Sequence, residues 1–258
     1  MPNSTSRTDR CFTRREPLAD YLACADYVSS SALRRFSRSG QTALSAMRPM
    51  QVPKEATLGD ALHALLLEPE RFDETFFTTH DTVTTPPPPD PETLMGRTWL
   101  SRKDCTALEA MRDSVLRYTR SPLADWLERG EREISIYWTD DAGGRWKARP
   151  DCLCDDVVVE LKTTTDIRPN HFLKSRKRFG YDLQAAHYVD GVRHLTGRSP
   201  RFVYVAVESV RPHAVWVLEP ELELLSQVAA NLQALRERFR TELAALSAEP
   251  APASTEFA

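Results

Sequence analysis

The sequence predicts an α/β protein, a mixed central sheet flanked by helices and preceded by a helical N-terminal region. Three observations carry this expectation. Apolar residues recur at helical spacing up to residue 129, strict alternation takes over from residue 131, and from residue 181 the chain reads helix, strand, strand, helix. With 258 residues, 41% apolar and 28% charged, the chain is long enough for one sizeable core and has an ordinary globular composition.

Residues 1–16 are polar and basic and read as a disordered N-terminus, with one domain expected over 17–246 and a flexible tail over 247–258. "SSSALRRFSRSG" (29–40) offers serines as N-caps, Leu33 and Phe36 at helical spacing, and Gly40 as a stop. "TLGDALHALLLEP" (57–69) is a second helix, with Thr57 and Asp60 spaced as a capping box and Pro69 at its end. It is apolar nearly all round and should be buried. A proline-rich insert at 84–92 follows. Residues 104–119 and 122–129 read as helices, the latter with Ser121 as cap and Pro122 at its first position.

"EREISIYWTD" alternates, with Ile134, Ile136 and Trp138 on one face and Glu133, Ser135 and Tyr137 on the other. "DDAGG" is a hairpin turn, "RWKARPDCLC" a second strand, Asp155-Asp156 a tight turn and "VVVELKT" a third strand. Residues 181–197 form a helix with a glycine stop, "RFVYVAVES" and "HAVWVLEP" two strands, and 219–246 a long amphipathic helix.

The net charge of -3 gives no global basic excess, so any polyanion contact must come from a local patch. No apolar stretch is long enough to span a bilayer and no apolar signal core stands near the start, which leads to the expectation of a cytoplasmic protein without a membrane partner. The five cysteines are odd in number and scattered, and Cys152-x-Cys154 is not a CxxC pair. Free thiols, without a zinc or iron–sulfur cluster, are expected.

The chemistry concentrates in "RPDCLCDDVVVELKTTTD" (149–166). A strand has a side-chain period of two, so Glu160 and Lys162 share a face, while Asp151 lies on the preceding strand across a short turn. Two carboxylates and an ammonium can converge there. Oxygen ligands of this kind suit Mg²⁺ or Mn²⁺, and a lysine beside them can stabilise charge on a phosphoryl transition state or help activate water. On the following helix, Gln184 and Tyr188 stand four apart and share a face. His63, in "GDALH", sits on the buried N-terminal helix, where a neutral imidazole is a reasonable Mn²⁺ ligand. Residues 167–181 carry Arg168, Lys174, Arg176, Lys177 and Arg178, with Phe172, Phe179 and Tyr181 interleaved and no acid before residue 182. They read as a basic loop suited to phosphate contacts, which position a nucleic acid without reading its bases. Arg34, Arg35 and Arg38 add to the same path.

Pro150-Asp151, then Glu160-Leu161-Lys162, with His63 before them and Gln184 and Tyr188 after, resembles the PD-(D/E)xK nuclease superfamily, and within it the RecE-type phage exonucleases (exodeoxyribonuclease VIII) and RecB-type nucleases. The resemblance spans roughly residues 25–220. It implies a restriction-endonuclease-like core and a metal-dependent deoxyribonuclease, a 5′-to-3′ exonuclease on double-stranded DNA ends that prepares them for recombination by single-strand annealing. It also implies Mg²⁺ or Mn²⁺ held by His63, Asp151, Glu160 and the carbonyl of Leu161, with Lys162 catalytic. Glu133 would be an accessory acid, with Glu131 as a competitor. Gln184, Tyr188, Lys174, Arg176, Lys177 and Arg178 would contact DNA, and Thr163 would contribute beside them. The implied partners are duplex ends, an annealing protein and further copies of the chain in a ring-like trimer or tetramer, in a bacterial host or encoded by its phage. The long C-terminal helix, with Leu222, Leu225, Val228, Leu232 and Leu235, offers material for subunit contacts or for packing on the chain's own sheet.

Overall fold

The computed structural model describes residues 10–39, 42–50, 57–78 and 89–248. The chain opens with strand β1 (Cys11–Arg14) and helices α1 (Leu18–Ala23), α2 (Ser30–Ser39), α3 (Ala43–Ala46) and α4 (Leu58–Leu67). A 3-10 turn at Pro69–Arg71 leads to α5 (Phe72–Thr75), β2 (Phe76–Thr78), α6 (Pro91–Leu94), β3 (Thr98–Leu100), α7 (Arg102–Leu116) and α8 (Leu123–Arg129). Then come β4 (Glu131–Arg132), β5 (Ser135–Thr139), β6 (Arg145–Ala148), β7 (Cys152–Cys154), β8 (Val157–Thr164), α9 (Pro169–Phe179), α10 (Tyr181–Thr196), β9 (Arg201–Glu208), β10 (Val215–Leu218) and α11 (Leu222–Ala248).

The central sheet has the order β10-β9-β8-β7-β4 and is mixed as expected, since β8 pairs parallel with β9 and antiparallel with β7. The valine run of β8 alternates between two cores. Val157, Val159 and Leu161 face the layer of α4, α7 and α8, while Val158 faces that of α2, α10 and α11. Both layers exclude water, so a continuous apolar run is what this position demands.

The strands before β8 depart from a simple meander. "EREISIYWTD" breaks at Glu133, whose φ of 53° is left-handed, and "RWKARPDCLC" breaks at Arg149-Pro150-Asp151. The outer halves, β5 and β6, form a separate sheet with β1, while β4 and β7 stay with β8. A left-handed residue reverses the pleat on one strand, and a proline without an N–H cannot continue the ladder on the other. The polar face expected for β5 is buried as well. Ser135 and Tyr137 are fully covered because β1 and the α1 region lie over them, and Phe12 stacks on Tyr137 at 5.1 Å.

Residues 11–14 are therefore a strand and not part of a disordered terminus, a short edge strand whose polar sequence gives no apolar alternation to read. Residues 1–9 and 249–258, and positions 84–88 of the proline-rich insert, lie outside the described residues; positions 247 and 248 close α11. Asp90 of the insert caps α6. Pro122 is the N-cap of α8 and Ser121 makes no cap, so that helix starts one residue later than expected. The basic segment is a helix, α9, with Pro169 at its first turn and Gly180 (φ 69°) as its left-handed stop.

The capping box of Thr57 and Asp60 starts α4 as expected. Two residues on, a Cβ at Gly59 would stand 2.6 Å from the Thr163 hydroxyl. Glycine lets the helix lie directly on β8, which brings His63, one turn later, over the middle of that strand. Leu232, Leu235 and Phe239 bury α11 against the chain's own core, while Leu222 at its start and Leu246 near its end are exposed. No helix among the described residues is long and apolar enough to cross a membrane.

Candidate active site

The site forms where the two sheets part. β7 pairs with β8 only as far as Val159, while β9 follows β8 to Thr164. Beyond Val159 the β7 edge of β8 needs other partners, and the Leu161 amide donates to Asp151 Oδ2 at 2.6 Å. The break at Pro150 thus places Asp151 in a strand's stead, with one oxygen fixed and the other turned towards His63.

His63 comes down on the same spot from α4. Its Nε2 lies 3.2 Å from the Leu161 carbonyl, and its Nδ1 3.6 Å from Asp151 Oδ1. A carbonyl only accepts, so Nε2 carries the proton. Burial first, and then the Lys162 ammonium, lower the imidazole pKa, so the ring is neutral at neutral pH. Nδ1 then turns a lone pair towards a carboxylate oxygen. Two acceptors facing each other call for a proton or a metal cation between them. Glu133 completes the group, and one ligand atom from each of His63, Glu133 and Asp151 lies within 4.8 Å of the others.

Glu160 and Lys162 stand beside this group on the α10 side of β8. Lys162 Nζ donates to Glu160 Oε1 at 2.7 Å and lies 5.0 Å from the centroid of the Tyr181 ring. Gln184 Nε2 donates to the same Glu160 oxygen at 2.6 Å and to the Tyr188 hydroxyl at 3.1 Å. The other oxygen, Glu160 Oε2, is buried without a hydrogen-bond partner. A buried carboxylate oxygen left in this condition is costly. With the facing acceptors at His63 and Asp151, it shows that the donor set fits a divalent cation: one imidazole nitrogen, oxygens of Asp151 and Glu133, and Glu160 Oε2 as a neighbouring oxygen. This nitrogen-and-oxygen set matches Mn²⁺ or Mg²⁺ chemistry.

Burial opposes the charge of all three carboxylates. Burial, reinforced by the Asp151 charge, pushes Glu160 up to about 7 and Glu133 up to about 7. Burial alone raises Asp151, to about 6, against the opposing pull of Lys162. Lys162 moves the other way: burial opposes its charge, but Glu160 and Asp151 outweigh that and raise its pKa, so it is an ammonium at neutral pH. A carboxyl raised above its unfolded value holds its proton longer in the folded state, so its contribution is fully present below about pH 4 and is lost as the pH rises towards 7. Asp151→Asn should therefore gain melting temperature relative to wild type as the pH rises from about 4 to about 6 in EDTA, and hold that gain above it. A difference independent of pH in paired thermal melts would contradict this assignment of charge.

Arg149 was not legible as a site residue. It is buried, its Nε donates to Glu133 Oε2 at 2.6 Å, and its Nη1 donates to the Glu16 carbonyl at 2.8 Å and the Ser135 hydroxyl at 3.2 Å. It fixes the orientation of Glu133 and ties it to the segment before α1. Glu131, the alternative accessory acid, is exposed and paired with Arg15 at 3.4 Å, away from this group.

The remaining candidates divide. Tyr188 is buried and Gln184 is engaged with Glu160, so both lie within the site rather than on an open surface. Thr163 packs beneath Gly59. Lys174, Lys177 and Arg178 are exposed along α9. Arg176 is not part of that surface: it is buried, its guanidinium donates to Asp182 Oδ1 at 2.5 Å and lies over the Tyr204 ring at 5.2 Å. The 3.6 period of α9 turns it inward with Phe172, four residues before it. The thiols of Cys105, Cys152 and Cys154 are buried, and Cys152 Sγ donates to the Trp126 carbonyl at 3.2 Å.

Residues 29–256 match the family described as "PDDEXK-like domain of unknown function (DUF3799)". The chain belongs to this family. Pro150-Asp151 and Glu160-Leu161-Lys162 lie together in this fold, Asp151 just before β7 and Glu160, Leu161 and Lys162 on β8. A candidate exonuclease from Eubacterium rectale, known from a crystal structure at 2.19 Å resolution, shares the fold with a TM-score of 0.59 at 16% sequence identity, over 89% of this chain and 88% of that one. No curated protein matches the sequence significantly.

Proposed function

We propose that this PDDEXK-like chain is a metal-dependent deoxyribonuclease, an exonuclease that degrades duplex DNA from its ends in the 5′-to-3′ direction and so prepares them for recombination by single-strand annealing. The observation that supports it is the convergence of His63, Glu133 and Asp151 within 4.8 Å beside the Glu160–Lys162 pair. The fold shared with a candidate exonuclease supports the end-directed reading.

His63, Asp151 and Glu133 would hold Mg²⁺ or Mn²⁺, with Glu160 beside them. The ion supplies Lewis acidity to the phosphate and to the attacking water. Hydrolysis forms a bond from water oxygen to phosphorus and breaks the P–O3′ bond, leaving a 5′-phosphate and a 3′-hydroxyl that takes up a proton. Lys162, held as an ammonium by Glu160, faces the negative charge that develops on phosphorus. Its raised pKa makes it an electrostatic partner rather than a base. Gln184 keeps Glu160 in place from α10.

The test uses linear duplex with a 5′-phosphate and closed circular duplex, each with enzyme and Mg²⁺. Mononucleotides should appear from the linear DNA while the circle stays intact. Nicking or linearisation of the circle at a comparable rate would make the chain an endonuclease instead.

A further inference from the structure

A groove of about 370 Å³ runs between α2, the α9–α10 junction and α11. Arg34, Arg38, Lys177 and Arg238 line it, and no carboxylate does so among the described residues. It shares Arg34 and Gly180 with a second cavity that reaches Tyr181 and Gln184, and Gln184 touches Glu160. The groove and the candidate active site are thus ends of one path over the α10 side of the sheet.

Part of this charge has a structural explanation. Arg34 Nη1 donates to the Phe179 carbonyl at 2.5 Å, and Arg38 Nη1 donates to the Arg178 carbonyl. Cations at a helix C-terminus satisfy its last carbonyls and its dipole. That role does not extend to Arg238, which comes from α11, lies over the Phe36 ring at 5.5 Å and caps nothing in α9. Nor does capping use up the guanidinium groups of Arg34 and Arg38, each of which has five N–H donors in a fixed fork. The two carbonyl bonds hold those forks in place, so little rotamer entropy is lost when an anion docks. Four like charges in one groove repel each other, and a polyanion laid along it removes that repulsion.

We propose that this groove binds the phosphodiester backbone of the DNA flanking the cleaved bond, with Arg38 and Arg238 as its two outer phosphate contacts. The inference rests on the nuclease reading for its choice of polyanion, and it adds α11 to the nucleic-acid surface.

The test measures binding of a short fluorescein-labelled duplex by anisotropy across a salt series in EDTA, so that no cleavage occurs. Every phosphate that is no longer neutralised should make the log–log salt slope shallower by about 0.9. Arg38→Ala/Arg238→Ala should therefore lower it by about 2 relative to wild type. Arg238 is exposed, so the single Arg238→Ala variant should fold normally and lower the slope by about 1. A purely structural role in capping would shift the melting temperature and leave the slope alone, and an unchanged slope overturns the proposal. The two readings fail separately. A shallower slope in variants of a protein that never cleaves DNA upholds the groove and sinks the nuclease; cleavage by a protein whose variants keep the wild-type slope does the reverse.

Discussion

Asp151→Asn should reduce hydrolysis of linear duplex DNA by at least about 10³-fold, on the scale of losing a group that stabilises transition-state charge. The substitution is chosen because the fold should survive it. Asp151 Oδ2 accepts from the buried Leu161 amide, and an asparagine oxygen can take the same bond. Asp151→Ala would leave that amide without a partner at a cost of about 1–3 kcal/mol, mixing instability with impaired chemistry. Glu133→Gln should lose activity by the same route, since Glu133 is the third member of the group. Rates in a mononucleotide-release assay, read beside melting temperatures, separate the two causes. Near-wild-type turnover by a folded Asp151→Asn protein would remove this carboxylate from the mechanism.

Lys162→Met should also abolish most hydrolysis, by about 10²–10³-fold, but with the opposite effect on metal binding. Lys162 bonds Glu160 and is no ligand, and it is a positive charge next to the place where a cation would sit. Removing it should leave Mn²⁺ affinity unchanged or raise it, because like-charge repulsion disappears. Titration of wild type and variant with Mn²⁺, alongside single-turnover rates, distinguishes this from a ligand role. A variant that lost metal affinity in step with activity would show that Lys162 organises the ligands rather than the transition state.

The parts of the site that lie close in sequence were the ones legible in it. Glu160 and Lys162 stand on one strand and Asp151 just before the strand that a tight turn joins to it, so that turn and a period of two are enough to bring them together. Gln184 and Tyr188 follow from the period of one helix. His63 needed the resemblance, because nothing local to α4 says that Gly59 lets that helix touch β8. Glu133 was readable only as the polar face of a continuous strand; the structure gives it a left-handed backbone and a place where two sheets separate. Arg149 could not be found, since its bond to the Glu16 carbonyl spans 133 positions and no periodicity reports such a contact. The basic segment shows a different limit. Charge density suggested a loop, while Phe172 and Arg176, four apart and both buried, mark the inner face of a helix. β1 escaped notice because a four-residue edge strand needs no apolar pattern of its own.

Every step of the proposed hydrolysis requires that His63, Asp151 and Glu133 take up a divalent cation together. Isothermal titration of the wild-type protein with Mn²⁺ at pH 6, paired with Asp151→Asn and Glu133→Gln, tests this most directly. Wild type should bind the ion with release of protons, because carboxyls raised towards neutrality must ionise to receive it. Each variant should bind far more weakly and release fewer protons. Equal Mn²⁺ affinity and equal proton release in all three proteins would place the metal elsewhere and contradict the assignment.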